Sequence, residues 1–364
     1  MKPDPAPERP LSREAIRELL GPIPPERVEL LFAEARQVKR QTCGRKIFLR
    51  GIVELSNCCE KDCFYCGIRR SNPDVARYRM EEEEVIAAAR ASFRRGYRSI
   101  LLQSGEEKTP QAVDRVERLT GRIKTETDGR MRIVLSLGEQ EPETYRRWRA
   151  AGADLYLLRI ETSSPRLYRS LHPRNHLHQR RLECLHTLRE LGYQVGSGML
   201  IGLPGQTPGD LADDALFLKE IDVDMIGMGP YIPHPRTPLA RQAGKVSPAE
   251  RLLRGLKMIA VCRILMPEVN IAATTALGTL DPAGRELGLA AGANVVMPNL
   301  TPPDYRREYN LYQGKPLEED GILGLESLHR RIAAGGDELV LDEWGDSLHF
   351  RRRIRYSNGK LKRP

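Results

Sequence analysis

Four cysteines fall within nine positions of the stretch NCCEKDCFYCGIRR, residues 57–70. Three of them, Cys59, Cys63 and Cys66, have the spacing C-x3-C-x2-C, so a short loop can turn three thiolates toward one centre. Soft thiolates select zinc, copper(I) or the iron of an iron–sulfur cluster. Structural zinc takes four ligands. No second cysteine pair or nearby His-x3-5-His completes such a set, since all seven histidines lie at position 172 or beyond. A 4Fe–4S cluster held by three cysteines leaves one iron open to a substrate or cofactor, which suits a reactive cluster better than an electron relay. Adjacent thiolates do not easily share one cube, so Asn57 and Cys58 read as loop residues. Cys43, Cys184 and Cys262 lie in or beside helical patterns and read as small buried hydrophobes.

The cysteine loop follows the apolar run KIFLRGIVELS. From there short apolar runs alternate with amphipathic stretches: SILLQSG, RIVLSLGE, ADLYLLRIET, QVGSGMLIG, DMIGMGPYI, NIAATTALG and ANVVMPN complete a set of eight strand candidates. Such alternation predicts an α/β fold with a parallel sheet, and eight units predict a closed (βα)8 TIM-type barrel over residues 45–300. Residues 1–44 read as a disordered start and two helices, the first capped by Ser12; residues 301–364 read as an irregular extension packed on the barrel, ending in a basic tail. In such barrels the chemistry sits on loops after the strands. The cysteine loop is the first of them.

The chain has 364 residues, 40% hydrophobic and 29% charged, enough for a sizeable core, and no apolar run approaches the roughly 20 residues of a membrane span. The start, MKPDPAPERPLSRE, lacks the apolar core of a secretory signal, so a cytoplasmic protein is expected. Lysine and arginine exceed acidic residues by 58 − 49 = 9. The excess is partly in the tail RRRIRYSNGKLKRP, aromatic content is 5%, and no nucleic-acid module is recognisable, so a solvated basic surface and small anionic substrates are expected before DNA or RNA.

C-x3-C-x2-C with an aromatic, Tyr65, before its last cysteine, placed at the end of the first barrel strand, resembles the signature of the radical S-adenosylmethionine (radical SAM) superfamily. The resemblance implies a 4Fe–4S cluster on Cys59, Cys63 and Cys66. Its open iron is chelated by SAM, which one-electron reduction cleaves to methionine and a 5′-deoxyadenosyl radical. It also implies SAM contacts from Ser104, Gly105 and Glu106 in QSGEE, from Glu161 in RIET, from Arg181, and from Gly198 and Gly202 in GMLIGLPG beside adenine. Plainer readings stand beside these: QSGEE as a turn capping the next helix, Arg181 as a surface arginine with Arg180 as alternative, and GMLIGLPG as a mere strand and turn.

Further segments, among them VELSNCCEKDCFYCGIRRSN, GMGPYIPHPRTPLA, NIAATTALGT and YNLYQGK, are similar to the FeFe-hydrogenase maturase family HydE and its HydE-like relatives over roughly residues 45–315, with biotin synthase and methylornithine synthase more distant. This similarity implies a part in building the di-iron cofactor of FeFe-hydrogenase, on a cysteine-bound iron dicarbonyl cyanide unit. The partners it implies are an electron donor such as a ferredoxin or flavodoxin and the other hydrogenase maturases. A small anionic sulfur-bearing substrate would meet Arg159, Thr274, Thr275, Met297, Tyr309 and Tyr312 inside the barrel, and His234 would contact SAM or shape its loop. Two departures appear. Ile160 stands where family members commonly carry histidine, and residues 313–364 lack the three cysteines that some members use for an accessory cluster. The alternative is a HydE-like enzyme acting on another small sulfur or amino-acid compound. An iron–sulfur carrier would need the cysteines but not Glu106, Glu161 and a polar barrel interior.

Overall fold

A computed structural model describes residues 11–244, 246–316 and 324–357; the expected disordered start and the end of the basic tail lie outside the described residues. β1 (Lys46–Leu49) and β2 (Gly51–Ser56) form one run interrupted only at Arg50. β3 (Ser99–Ser104), β4 (Arg132–Ser136), β5 (Leu155–Leu157), β6 (Gln194–Ser197), β7 (Leu200–Ile201), β8 (Met225–Ile226), β9 (Gly229–Pro230), β10 (Asn270–Ala273), β11 (Val295–Val296) and β12 (Glu338–Val340) follow. Ten strands make one parallel sheet in the order β12-β1-β11-β10-β8-β6-β5-β4-β3-β2. Because β1 runs into β2, the sheet curls back on itself: Phe48 pairs with Val295, Ile52 bridges to Asn299, and Gly51 pairs with Ile100. The expected TIM-type barrel is present. Its fifth and sixth runs each break in two, and their upper pieces, β7 and β9, pair with each other in a small sheet of their own.

Strand residues alternate between two cores, as the two-residue period of a strand requires. Val53, Leu55, Ile100, Leu102, Ile133 and Leu135 face the helices. Ile52, Leu101, Val134, Leu157, Ala272 and Met297 fill the barrel interior as an apolar layer. Outside, helix Pro110–Glu126 shows why such segments are helical: Thr109 caps it by accepting from the Ala112 N–H, proline opens it, and Val113, Val116, Leu119 and Ile123 recur on one face against the sheet. Such a cap contributes about 1 kcal/mol.

Before the barrel, Ser12 caps helix Arg13–Leu20 as expected. Helix Pro25–Thr42 is anchored by Lys39, whose Nζ lies 2.6 Å from Asp337 and 3.1 Å from the Leu289 carbonyl. The extension is more regular than the sequence suggested. It contains helices Pro303–Glu308, Leu325–Ala334 and Leu348–Ser357 and supplies β12, which pairs in parallel with β1. Cys184 and Cys262 are buried as expected, whereas Cys43, at the end of helix Pro25–Thr42, is half-buried. No helix among the described residues is long and apolar enough to cross a membrane.

Candidate active site

Cys59, Cys63 and Cys66 all line one cavity of about 320 Å3 at the C-terminal end of the barrel strands. Their loop is held by its backbone: the Glu60 N–H donates to the Glu106 carbonyl, and the Phe64 N–H to the Leu171 carbonyl, each at 2.8 Å. Asn57, read from sequence as an ordinary loop residue, is fully buried and anchors the loop, its Nδ2 donating to the carbonyls of Ala76 and Glu308. Gly105 has to be glycine. A Cβ there would stand 2.0 Å from the Cys58 carbonyl and 2.7 Å from the Cys59 Cβ.

None of the three thiols is in a disulfide. Burial pushes the Cys63 thiol up to about 12, the Cys66 thiol well above its usual range, and the Cys59 thiol upward. Such thiols keep their protons until a metal replaces them. Among the described residues no three His, Cys, Asp or Glu groups are placed to hold a single metal ion. Three soft donors lining one cavity, with no fourth thiol and no imidazole among its described lining residues, fit a multi-iron cluster with an open corner better than four-ligand structural zinc.

Ser104, Gly105, Glu106, Glu161 and Arg181 line the same cavity. Thr109, not QSGEE, caps the following helix. Glu106 Oε2 accepts from the Glu139 N–H at 2.8 Å, while its buried Oε1 faces the ammoniums of Lys108 at 3.4 Å and Lys61 at 3.5 Å without a hydrogen bond to either. Burial raises the Glu106 carboxyl. An oriented carboxylate oxygen that faces ammonium groups without a hydrogen bond to either suits a better-placed ammonium. Arg181 is buried and Arg180 is not its substitute: Arg180 reaches outward to Glu141 at 2.8 Å. Arg181 donates through Nε to Glu139 Oε1 at 2.6 Å and through Nη1 to the Arg159 carbonyl at 2.5 Å. Three of its five N–H groups remain for a carboxylate.

Sequence reasoning missed Glu139 and Lys61. Burial would raise the Glu139 carboxyl, but Arg181 and Lys61 hold it at about 2, and Lys61 Nζ lies 2.7 Å away. The signal was available, for Glu139 ends the run RIVLSLGE at the third strand end. Glu161 has a left-handed backbone, φ 66°. That costly conformation is fixed by its N–H donating to the Gly198 carbonyl and its carbonyl accepting from the Leu200 N–H, each at 3.0 Å. Gly198 and Gly202, expected beside adenine, are not in the cavity lining; their neighbours Leu200 and Gly227 are.

Two residues above the apolar layer, the inward face of the strands turns polar. Ile52 is followed by Glu54, Leu101 by Gln103, Val134 by Ser136, Leu157 by Arg159, Ala272 by Thr274 and Met297 by Asn299, and all six of these polar residues line the cavity. Thr275, Met297, Tyr309 and Tyr312 line it too. Arg159, Thr274 and Met297, expected on strands, lie just past the ends of β5, β10 and β11. Thr274 donates to the Met228 carbonyl at 3.1 Å. Arg159 pairs with Glu161 Oε2 at 2.9 Å. Ile160, the departure from the family's common histidine, is fully buried in the core outside the sheet and is not in the cavity lining. His234 is buried outside the lining, beside Gly67, and takes the loop-shaping role. A larger cleft of about 640 Å3 runs beside helices Pro25–Thr42 and Leu348–Ser357. In its wall His349 meets Asp222 and Arg352 meets Glu268, each at 2.6 Å, and no thiol is among its described lining residues.

Comparison with known proteins points the same way as the geometry. The Radical SAM superfamily profile matches residues 53–218. The [FeFe] hydrogenase maturase subunit HydE of Thermotoga maritima is 47% identical over 309 residues, covering 84% of this chain and 85% of that protein. A 3-methylornithine synthase of Methanosarcina acetivorans is 29% identical over 329 residues, covering 90% of each. A crystal structure of methylornithine synthase (PylB) superposes with a TM-score of 0.77 at 25% identity, covering 92% of this chain and 95% of that one.

Proposed function

Since the chain belongs to the HydE family of radical SAM enzymes, we propose that it acts in FeFe-hydrogenase maturation on a small sulfur-bearing iron synthon held inside the barrel. The observation that carries the reading is the single cavity that joins the three-cysteine loop to Glu106, Glu161 and Arg181 on one side and to Arg159, Thr274, Thr275, Tyr309 and Tyr312 on the other.

Cys59, Cys63 and Cys66 would hold a 4Fe–4S cluster with SAM on its open iron, and together they supply, on one-electron reduction, the 5′-deoxyadenosyl radical. The rest belongs to this chain's own residues. Glu106 orients the SAM ammonium through Oε1, the oxygen that makes no hydrogen bond within the described residues. Arg181, fixed between Glu139 and the Arg159 carbonyl, presents its free donors to the SAM carboxylate. Ile52, Leu101 and Leu157 below and Tyr309 above keep water from the reacting centre. Arg159, the two threonines and the two tyrosines orient a cysteine-bound iron dicarbonyl cyanide, with Met297 packing beside it. The electron comes from a ferredoxin- or flavodoxin-type donor, and the product passes to the other maturases.

The test is anaerobic reconstitution with iron and sulfide, then reduction with SAM, following 5′-deoxyadenosine and the electron paramagnetic resonance of the reduced cluster. Formation of 5′-deoxyadenosine with a SAM-perturbed signal is expected, and turnover of the iron synthon then tests the maturase reading. A cluster that neither feels nor cleaves SAM would reduce the protein to a carrier.

A further inference from the structure

The cavity holds a further ion pair that the mechanism above does not use. Lys315 Nζ stands 2.5 Å from Glu54 Oε1, with the two side chains only 8% and 4% exposed. Glu54 is an inward residue of β2, just before the cysteine loop. Lys315 ends a strap, Tyr309 to Lys315, that contributes Tyr309, Leu311, Tyr312 and Lys315 to the cavity wall. The same ammonium donates to the Tyr309 carbonyl at 2.8 Å and lies 4.9 Å from the centre of the Tyr309 ring, while the Tyr309 hydroxyl accepts from Gln103 at 3.2 Å. Lysine thus binds both ends of its own strap to the first barrel strand.

The strap also rests on the cysteine loop. The Gly67 N–H donates to the Leu311 carbonyl at 2.9 Å, and a Cβ at Gly67 would stand 2.0 Å from the Asn310 carbonyl. One segment therefore touches the loop immediately after Cys66 and the substrate end of the cavity.

A buried ion pair adds little net stability over an apolar contact of similar size, because desolvation of the two charges offsets their attraction. What it does supply is a single register: an apolar contact tolerates sliding, whereas a lone buried charge does not tolerate losing its partner. We propose that Glu54 and Lys315 form a clasp that locks the strap across the barrel mouth and sets Tyr309 and Tyr312 against the substrate. Both are positioning residues for the substrate and not for SAM. The inference rests on the proposed function only in taking the tyrosines to meet the substrate.

Two readouts on the anaerobically reconstituted holoprotein separate the clasp from that reading: hydrogen–deuterium exchange of the peptide 305–316, and steady-state kinetics with a cysteine-bound iron dicarbonyl cyanide complex as probe. Lys315→Met should speed exchange of the strap about 10-fold or more while leaving the peptide 99–104 unchanged. It should raise KM for the iron complex about 10-fold, with KM for SAM and substrate-free 5′-deoxyadenosine formation kept within about twofold. Glu54→Gln should do the same. The double variant Glu54→Gln with Lys315→Met, which leaves no charge stranded, should recover soluble yield without recovering strap protection. Unchanged strap exchange in folded Lys315→Met overturns the clasp, as does a parallel rise in KM for SAM. If the wild type does not turn over the iron complex, the substrate reading fails and strap exchange alone decides the clasp.

Discussion

The two ends of the barrel are built from the same kind of side chain and finished differently. Two residues below the apolar layer, polar side chains return at part of the inward ring: Arg50, Arg132 and Asn270 sit under Ile52, Val134 and Ala272, while Leu155 and Val295 stay apolar under Leu157 and Met297. At this floor the chain supplies the partners itself. The Gly345 carbonyl accepts from Asn270 at 2.7 Å and from Arg50 at 3.3 Å, and Asp346 accepts from Arg132 at 2.9 Å and from Gln194 at 2.6 Å. At the mouth the corresponding ring of Glu54, Gln103, Ser136, Arg159, Thr274 and Asn299 opens onto the cavity. Polar side chains inside a barrel do not by themselves mark a site. Glu54, Gln103, Arg159 and Thr274 have partners in the chain as well, and what marks the mouth is the cavity of about 320 Å3 left open beside them.

Perturbing the two ends should have different consequences. The largest contrast is at the cysteines: Cys63→Ala should cut 5′-deoxyadenosine formation by on the order of a thousandfold or more, while Cys58→Ala retains it. Cleavage at near wild-type rate in Cys63→Ala would remove the ligand assignment. Next, Arg181→Met should raise KM for SAM about 100-fold, the worth of a charge-assisted bidentate contact. Glu139→Gln should raise it about 10-fold by loosening Arg181, and a KM unmoved by either would detach this corner from SAM.

At the floor, Asp346→Ala should lower the unfolding free energy of the apoprotein by roughly 2–3 kcal/mol through the bonds lost to Arg132 and Gln194, without changing KM for SAM. A change in SAM affinity there would break the comparison. The smallest effect concerns acid. Burial, helped by Arg181, lowers the ring of His172 to about 3. The unfolded chain takes up a proton near pH 6.5 that the folded chain refuses. The His172 contribution to stability is therefore full above pH 6.5 and declines as pH falls toward 3, by at most about 1.4 kcal/mol per pH unit, and His176, which burial lowers to about 4, adds to the slope in the same sense. Chemical denaturation of the apoprotein at pH 7 and 5.5 should show that slope, flattened in His172→Phe.

Much of this was legible in advance because the information was local. The C-x3-C-x2-C spacing and the eight apolar runs needed no tertiary knowledge, and the strand-end rule placed Glu106, Glu161 and Arg159 at the mouth. The same rule, pushed one step further, would have found the rest of the wall: counting two residues from Leu101, Val134 and Met297 yields Gln103, Ser136 and Asn299. Other features depend on distant contacts. Asn57 looked like filler because its acceptors, Ala76 and Glu308, come from separate segments. Lys315 looked like the end of a motif because its carboxylate lies on the first strand. Ile160 looked functional by position in the chain, yet its turn sends it into the outer core. The extension looked irregular because β12 has only Leu339 and Val340 as buried apolar residues and becomes a strand by pairing with β1.

The plug at the floor also bears on how the protein is made. Gly345 and Asp346 leave the ribosome after every barrel strand has been synthesised. Until they emerge, Arg50, Arg132 and Asn270 lack these floor partners, though Arg132 already has Asp154 and Asn270 has Asn294, and β1 lacks its neighbour β12. The cysteine loop, by contrast, is translated near the start. The three thiols are thus made long before the residues that close the far end of their barrel.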